Sequence, residues 1–139
     1  MVANSEFEAD VKASFAAQGL METLSAQLDE VSHGRVVISA PITRAASQQD
    51  GFAHAGFMWS LGDTAAGYAA MSMMSKGERV LTVEMKVNLL RPATGERLIA
   101  EGRVVRVGRQ ILTAAAEVFV ITDESRKHVA TMLGTMMRV

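Results

Sequence analysis

The sequence predicts an α+β fold in which a curved antiparallel sheet wraps around one long central helix. Three observations lead there. The stretch from His54 to Met74 is almost uniformly apolar and rich in Ala, Met and Gly, so a helix formed from it has no polar face to give to water and must be covered on all sides. The segments that follow it have strand character and are separated by turn signals. An alternating hairpin precedes it. A curved sheet around the helix is the economical cover, and the open side of such a sheet invites a second subunit. The periodicity alone also fits another α+β sheet.

Taken in order, Ser5 with Glu8 three residues on reads as a capping box that starts a helix carrying Phe7, Val11 and Phe15 on one side. Gly19 is its stop signal. Leu24, Ala26 and Leu28 alternate with polar residues, His33-Gly34 makes a turn, and Val36, Ile38 and Ala40 alternate again up to Pro41. Ile42 to Ala53 reads as a loop with room for one helical turn. The long helix follows. Next, Leu81, Val83, Met85, Val87 and Leu89 fall on one face of a strand, with Thr82, Glu84, Lys86 and Asn88 on the other. Pro92 and Gly95 mark a turn, Leu98 to Val107 the next strand, Gly108-Arg109 a turn, Ile111 to Ile121 a strand, and Lys127 to Met137 the last. These four strands read as an antiparallel meander.

Composition narrows the function classes. The 139 residues fit one domain, 1–139, with 1–19 as N-terminal helix and leader. Hydrophobic residues make up 49% and charged residues 21%, which supports a substantial core. The 15 acids and 14 bases nearly cancel, and no basic face with interleaved aromatics marks a nucleic-acid partner. No cysteine is present, so disulfides, thiolate metal sites and a Cys nucleophile are excluded, and no metal site is expected. Met1 to Asp10 is acidic and polar, unlike a signal peptide, and the expected location is cytoplasmic. From Gly51 to Ser75 the sole formal charge is Asp63, a run long enough to span a bilayer. Its mid-run carboxylate, His54 and the hydroxyls of Ser60, Thr64 and Ser72 argue for a buried helix and against a membrane segment.

Asp63 is the first chemical anomaly. It stands too far into the helix to be a cap, and Leu61, Ala65, Ala66 and Gly67 offer it no partner charge. Burying a carboxylate costs several kcal/mol unless something compensates. It either marks a gap in the helix surface and bonds to backbone or subunit neighbours, or it does chemistry. The second feature is the helix start, His54-Ala55-Gly56. Small residues leave the first backbone N–H groups open to a ligand, and the helix dipole favours negative charge there. Such a place can hold an oxyanion, or simply lets two elements pack closely. The methionines at 71, 73, 74, 132, 136 and 137 read as adaptable core or as the lining of an acyl tunnel.

Gln48-Gln49-Asp50-Gly51-Phe52-Ala53-His54-Ala55-Gly56, followed by Leu61-Gly62-Asp63-Thr64-Ala65, resembles the signature of PaaI-like hot dog thioesterases. In that family a polar residue opens the loop, His-Gly-Gly begins the helix, and an acid follows a Leu and one small residue. Thr82 to Ala93 resembles the family's central strand and Pro turn, and Leu98 to Arg109 the strand after it, so the resemblance covers roughly residues 20 to 137. It implies a hot dog fold and the hydrolysis of acyl-CoA thioesters, with medium-chain or aryl-acyl groups. By position, it implies that Asp63 activates water or attacks the thioester carbonyl itself. The N–H of Ala55 or Gly56 would hold the oxyanion, Gln48 orient the water or carbonyl, His54 position the thioester, and Thr82 support the water. Ala55 replaces the family's first Gly after His, and Gln48 its commoner Asn. Arg91, Arg106 and Arg109 border turns and are candidates for the phosphates of CoA, or ordinary surface charge. CoA would be part of the substrate, and no cofactor is expected.

Two other readings remain at this point: a hot dog hydratase or dehydratase, and a non-catalytic acyl-CoA-binding protein. Helix geometry adds an expectation about assembly. With a rise of ~1.5 Å per residue, Asp63 stands roughly 13 Å from the donors at the helix start, whereas a reacting carbonyl needs both within about 3 Å. Two helices antiparallel across a two-fold axis bring the middle of each to the start of the other. The expected assembly is therefore a homodimer with shared active sites, pairing further into a homotetramer.

Overall fold

The computed structural model describes residues 4–123 and 125–139. Expectations for the first three residues of the leader lie outside the described residues. Two short helices, α1 (Phe7–Ala16) and α2 (Gly19–Thr23), precede the hairpin β1 (Gln27–Ser32) and β2 (Arg35–Pro41). A 3₁₀ turn at Arg44–Ala46 interrupts the loop before α3 (Ala55–Met71). Then come β3 (Val80–Leu89), β4 (Arg97–Val107), β5 (Ile111–Thr122) and β6 (Ser125–Arg138). The six strands form one antiparallel sheet in the order β1-β2-β4-β5-β6-β3, with α3 packed in its concave face. This is the hot dog arrangement that the resemblance implies.

The intimacy of helix and sheet follows from small residues. Leu61, Ala65, Ala66, Ala69 and Ala70 are buried along α3. A methyl group placed on Gly102 of β4 would lie 2.2 Å from the Ala65 carbonyl carbon, so the helix backbone rests directly on that strand. Leu98, Ala100, Leu112, Ala114, Val118, Met132 and Met136 complete the cover. Met74, Met132 and Met136 are buried, in line with an adaptable core, whereas Met137 points outward. Among the described residues no helix is long and apolar enough to cross a membrane; the run read against spanning is α3 and its flanks.

Several local expectations are corrected. The capping box does not form: Glu6 is the N-cap of α1 without a side-chain bond, Asn4 Oδ1 accepts from the Glu6 N–H, and Glu8 is engaged by Lys12 one turn on. Gly19 does not end α1, which stops at Ala16, but opens α2, and Leu24 caps that helix rather than starting a strand. The four-strand meander is a three-strand meander, β4-β5-β6, because β3 pairs with the far side of β6. Residues 90–96 are therefore a crossover and not a tight turn. They pass the start of α3, where the Ala93 carbonyl accepts from the Ala53 N–H and Ala93 is buried.

The faces of β3 are also corrected. Thr82 is opposite Met136 and Glu84 is opposite Thr135, so Val83 is an extra, bulged residue. The alternation changes phase there. Val80 and Thr82 face the helix before the bulge, Met85 and Val87 face it afterwards, and Leu81 and Val83 lie exposed.

Candidate active site

Asp63 sits half-buried on α3, two turns from the helix start, flanked by the buried Gly62 and Ala65. Its side-chain partner is Thr82, whose Oγ1 donates to Asp63 Oδ1 at 2.7 Å. The β3 bulge makes this contact possible by turning Thr82 inward. No ion pair to Asp63 is present among the described residues. Burial pushes its carboxyl above the ordinary carboxylate value, and the Thr82 bond opposes that rise with a smaller effect. A carboxylate so placed is a stronger base than one in water. A cavity of about 150 Å³ opens beside it, lined by Gln18, Thr64, Gly67, Tyr68, Val80 and Thr82.

The helix start is built from the loop before it. His54 has extended backbone (φ −62°, ψ 141°) and is the N-cap of α3, with the Gly56 N–H donating to its Nδ1 at 2.8 Å. One of the two anticipated oxyanion donors is therefore occupied by the imidazole. The Ala55 N–H has no hydrogen-bond partner among the described residues, so of the two it is the donor left available. The His54 carbonyl accepts from Phe57 and Met58 and anchors the first turn.

Gln48 stands beside this turn, and its side chain is half committed. Gln48 Oε1 accepts from the Asp50 N–H at 2.5 Å and the Phe52 N–H at 3.2 Å. Two backbone donors fix which end of the amide is oxygen, and the NH2 end remains to act as a donor. A cleft of about 570 Å³ connects Gln48 and Ala55 with Phe52, Met58, Leu90 and Arg91. It is largely apolar, with the exposed Arg91 as its cation.

The structure thus gathers the anticipated residues into two groups within one chain. Asp63 meets Thr82; Gln48, His54, Ala55, Gly56 and Arg91 surround the helix start. Arg106 and Arg109 join neither, being exposed at the β4–β5 turn, level with the Val80 end of β3 and away from Arg91. Sequence reasoning missed Gln18 and Tyr68. Gln18 Nε2 donates to the Tyr68 hydroxyl at 2.7 Å, and Ser14 Oγ lies 3.0 Å from the same oxygen. The signal available was the single tyrosine inside an apolar helix, whose hydroxyl needs a partner when buried.

Residues 50–126, more than half of the chain, match the family model described as the thioesterase superfamily. A thioesterase family protein from Silicibacter pomeroyi superposes with a TM-score of 0.94 at 43% identity, over 96% of this chain and 98% of its own. The E. coli PaaI protein from the phenylacetic acid degradation operon superposes with a TM-score of 0.85 over 99% of this chain and 96% of its own; at 21% identity that likeness concerns the fold. A protein of Halobacterium salinarum provisionally named an esterase is 34% identical over 109 residues, 75% of this chain and 70% of its own.

Proposed function

The chain belongs to the thioesterase superfamily and is a hydrolase acting on thioesters, and from that premise we propose that its substrates are acyl-CoA thioesters carrying medium-chain or aryl-acyl groups. The observation that carries the chemistry is Asp63, a carboxylate raised in basicity by burial and held by one hydroxyl. In this reading Asp63 takes a proton from water as the water adds to the thioester carbonyl, or adds to that carbon itself. The tetrahedral oxygen faces the Ala55 N–H, and the Gly56 N–H joins when the His54 ring yields it. By the water route, collapse breaks the carbon–sulfur bond, the proton held by Asp63 passes to the sulfur, and a carboxylic acid and the CoA thiol are released. By direct attack, collapse releases the CoA thiolate, which takes a proton from solvent, and leaves an acyl–Asp63 anhydride. Water then hydrolyses the anhydride to the acid and the free carboxylate. Gln48 offers its NH2 to the carbonyl or water. Arg91, at the mouth of the apolar cleft, faces the CoA phosphates, and Arg106 and Arg109 reach them only from a partner subunit. CoA enters and leaves as part of the substrate.

The two groups of residues sit at different heights on α3, so the reading places each reaction between two copies. Gln48, His54, Ala55 and Gly56 of one chain then act with Asp63 and Thr82 of the other. Support comes from β3, which is an edge strand of the sheet carrying exposed Leu81, Val83 and Leu89. Such an edge is a template for pairing. Leu81, Met137 and Ile111 stand side by side across three strands and are exposed, which favours further pairing into a homotetramer.

The test is a panel of acyl-CoA thioesters with a thiol-detecting reagent. Thiol release from medium-chain or aryl members is the expected result. Saturable binding without thiol release would overturn hydrolysis of acyl-CoA.

A further inference from the structure

The cavity beside Asp63 has a wall that belongs to the N-terminal helices. Tyr68 is 3% exposed, and its hydroxyl is held by Gln18 at 2.7 Å and Ser14 at 3.0 Å. Phe15 packs edge-on to its ring at 6.3 Å between centroids. Tyr68 therefore cannot swing aside without breaking two hydrogen bonds and an aromatic contact. Next to Tyr68 on α3, a methyl group built on Gly67 would have Val80 Cγ1 at 4.0 Å as its nearest neighbour. The absent side chain there leaves room that a larger residue would fill.

We propose that this cavity seats the acyl group and that Gln18 and Tyr68 set its depth, so that within the medium-chain and aryl class the enzyme selects compact acyl groups, a single ring or the shorter chains, over extended ones. The inference rests on the acyl-CoA reading above and chooses within it. A thioester whose carbonyl lies against Asp63 must send its two arms in different directions. In the shared site the apolar cleft of the other copy, with Arg91 at its mouth, suits the CoA arm, and the cavity touching Asp63 receives the acyl arm. Its volume of about 150 Å³ is enough for a group the size of benzene, and its lining is mixed, Val80 and Gly67 standing beside the polar Gln18, Thr64, Tyr68 and Thr82. Gln18 and Tyr68, joined by their hydrogen bond, form part of its lining. A chain too long for it must displace Gln18 or Tyr68 and strip their polar groups of partners, which is costly.

The test measures kcat/KM for straight-chain acyl-CoA thioesters from acetyl to dodecanoyl, and for benzoyl-CoA, in the wild type, Gln18→Ala and Gly67→Val. Room for a methylene changes specificity by roughly 10-fold or more. Gln18→Ala should raise the octanoyl-to-butyryl ratio of kcat/KM by about that factor, and Gly67→Val should lower the benzoyl-to-acetyl ratio. Gly67→Ala, which gains helix propensity, supplies the same filling in smaller measure if the valine variant melts early. An unchanged chain-length profile in folded variants, with the wild type active, would place the acyl group elsewhere and end the proposal. No thiol release by the wild type from any member would instead overturn the acyl-CoA reading on which it rests.

Discussion

The Thr82 hydroxyl donates to Asp63 Oδ1 at 2.7 Å, joining the middle of α3 to the edge strand. It stabilises the charged carboxylate against the burial that pushes it toward neutrality, and burial has the larger effect. Thr82→Val removes the donor and keeps the shape. The carboxyl of Asp63 should then rise further, so the acid limb of the pH profile of kcat/KM should move to higher pH. Turnover should fall more than binding. A limb that stays in place would mean that this bond does not tune the base.

Asp63→Asn separates chemistry from stability. Turnover should drop by about 10²–10⁴-fold, the usual contribution of a general base. The fold should gain stability at neutral pH, because the desolvated charge is gone and the new amide oxygen can still accept from Thr82. The sign follows from the raised carboxyl. The folded wild type binds this proton more tightly than the unfolded chain, so Asp63 is least costly in acid. Its cost grows as pH rises from the ordinary carboxylate value through the raised one. Thermal melts of both proteins across that range should diverge as pH increases; a variant that loses stability throughout would contradict this account.

Gln48→Glu addresses the loop and the reaction separately. The carboxylate can still accept from the Asp50 and Phe52 N–H groups, but it has no NH2 to offer a carbonyl. Near-native melting with much reduced turnover is the expected pair of results. Unimpaired turnover would confine Gln48 to holding the loop.

Ala55→Pro deletes the N–H that has no partner at the first position of α3, where proline is well tolerated. His54 already has the extended backbone that a following proline requires. The variant should fold and be inactive. Mixed with Asp63→Asn under conditions of subunit exchange, it should regain activity, since a shared dimer restores one site with both intact halves. Verified heterodimers that stay inactive would refute the shared site.

Much of this was legible in the chain because it is local. The uniformly apolar run could only be a covered helix, and Asp63 within it could be singled out without coordinates. The hairpin turn at His33-Gly34 and the strands from Leu98 onward emerged near their predicted bounds. What escaped detection depends on distant partners. The pairing of β3 with β6 is set by a crossover that leaves no periodic trace, and Gln18 meets Tyr68 across 50 residues. The bond from Gly56 to His54 is local yet was missed, because a histidine at a helix start says nothing about which ring nitrogen turns inward.

The extra residue in β3 has a consequence for chain length. In a regular strand, removing one residue sends every side chain on one side of the cut to the opposite face. Here the ladder already passes from Thr82–Met136 to Glu84–Thr135 with Val83 as the surplus. Deleting Val83 should therefore join two correctly phased halves, leaving Thr82 on Asp63 and Met85 in the core. The shortened protein should fold and retain hydrolysis, whereas deletion of the neighbouring Lys86, inside a regular stretch, should abolish both. Along this strand, a gap in the gene is harmless at one codon and ruinous three codons later.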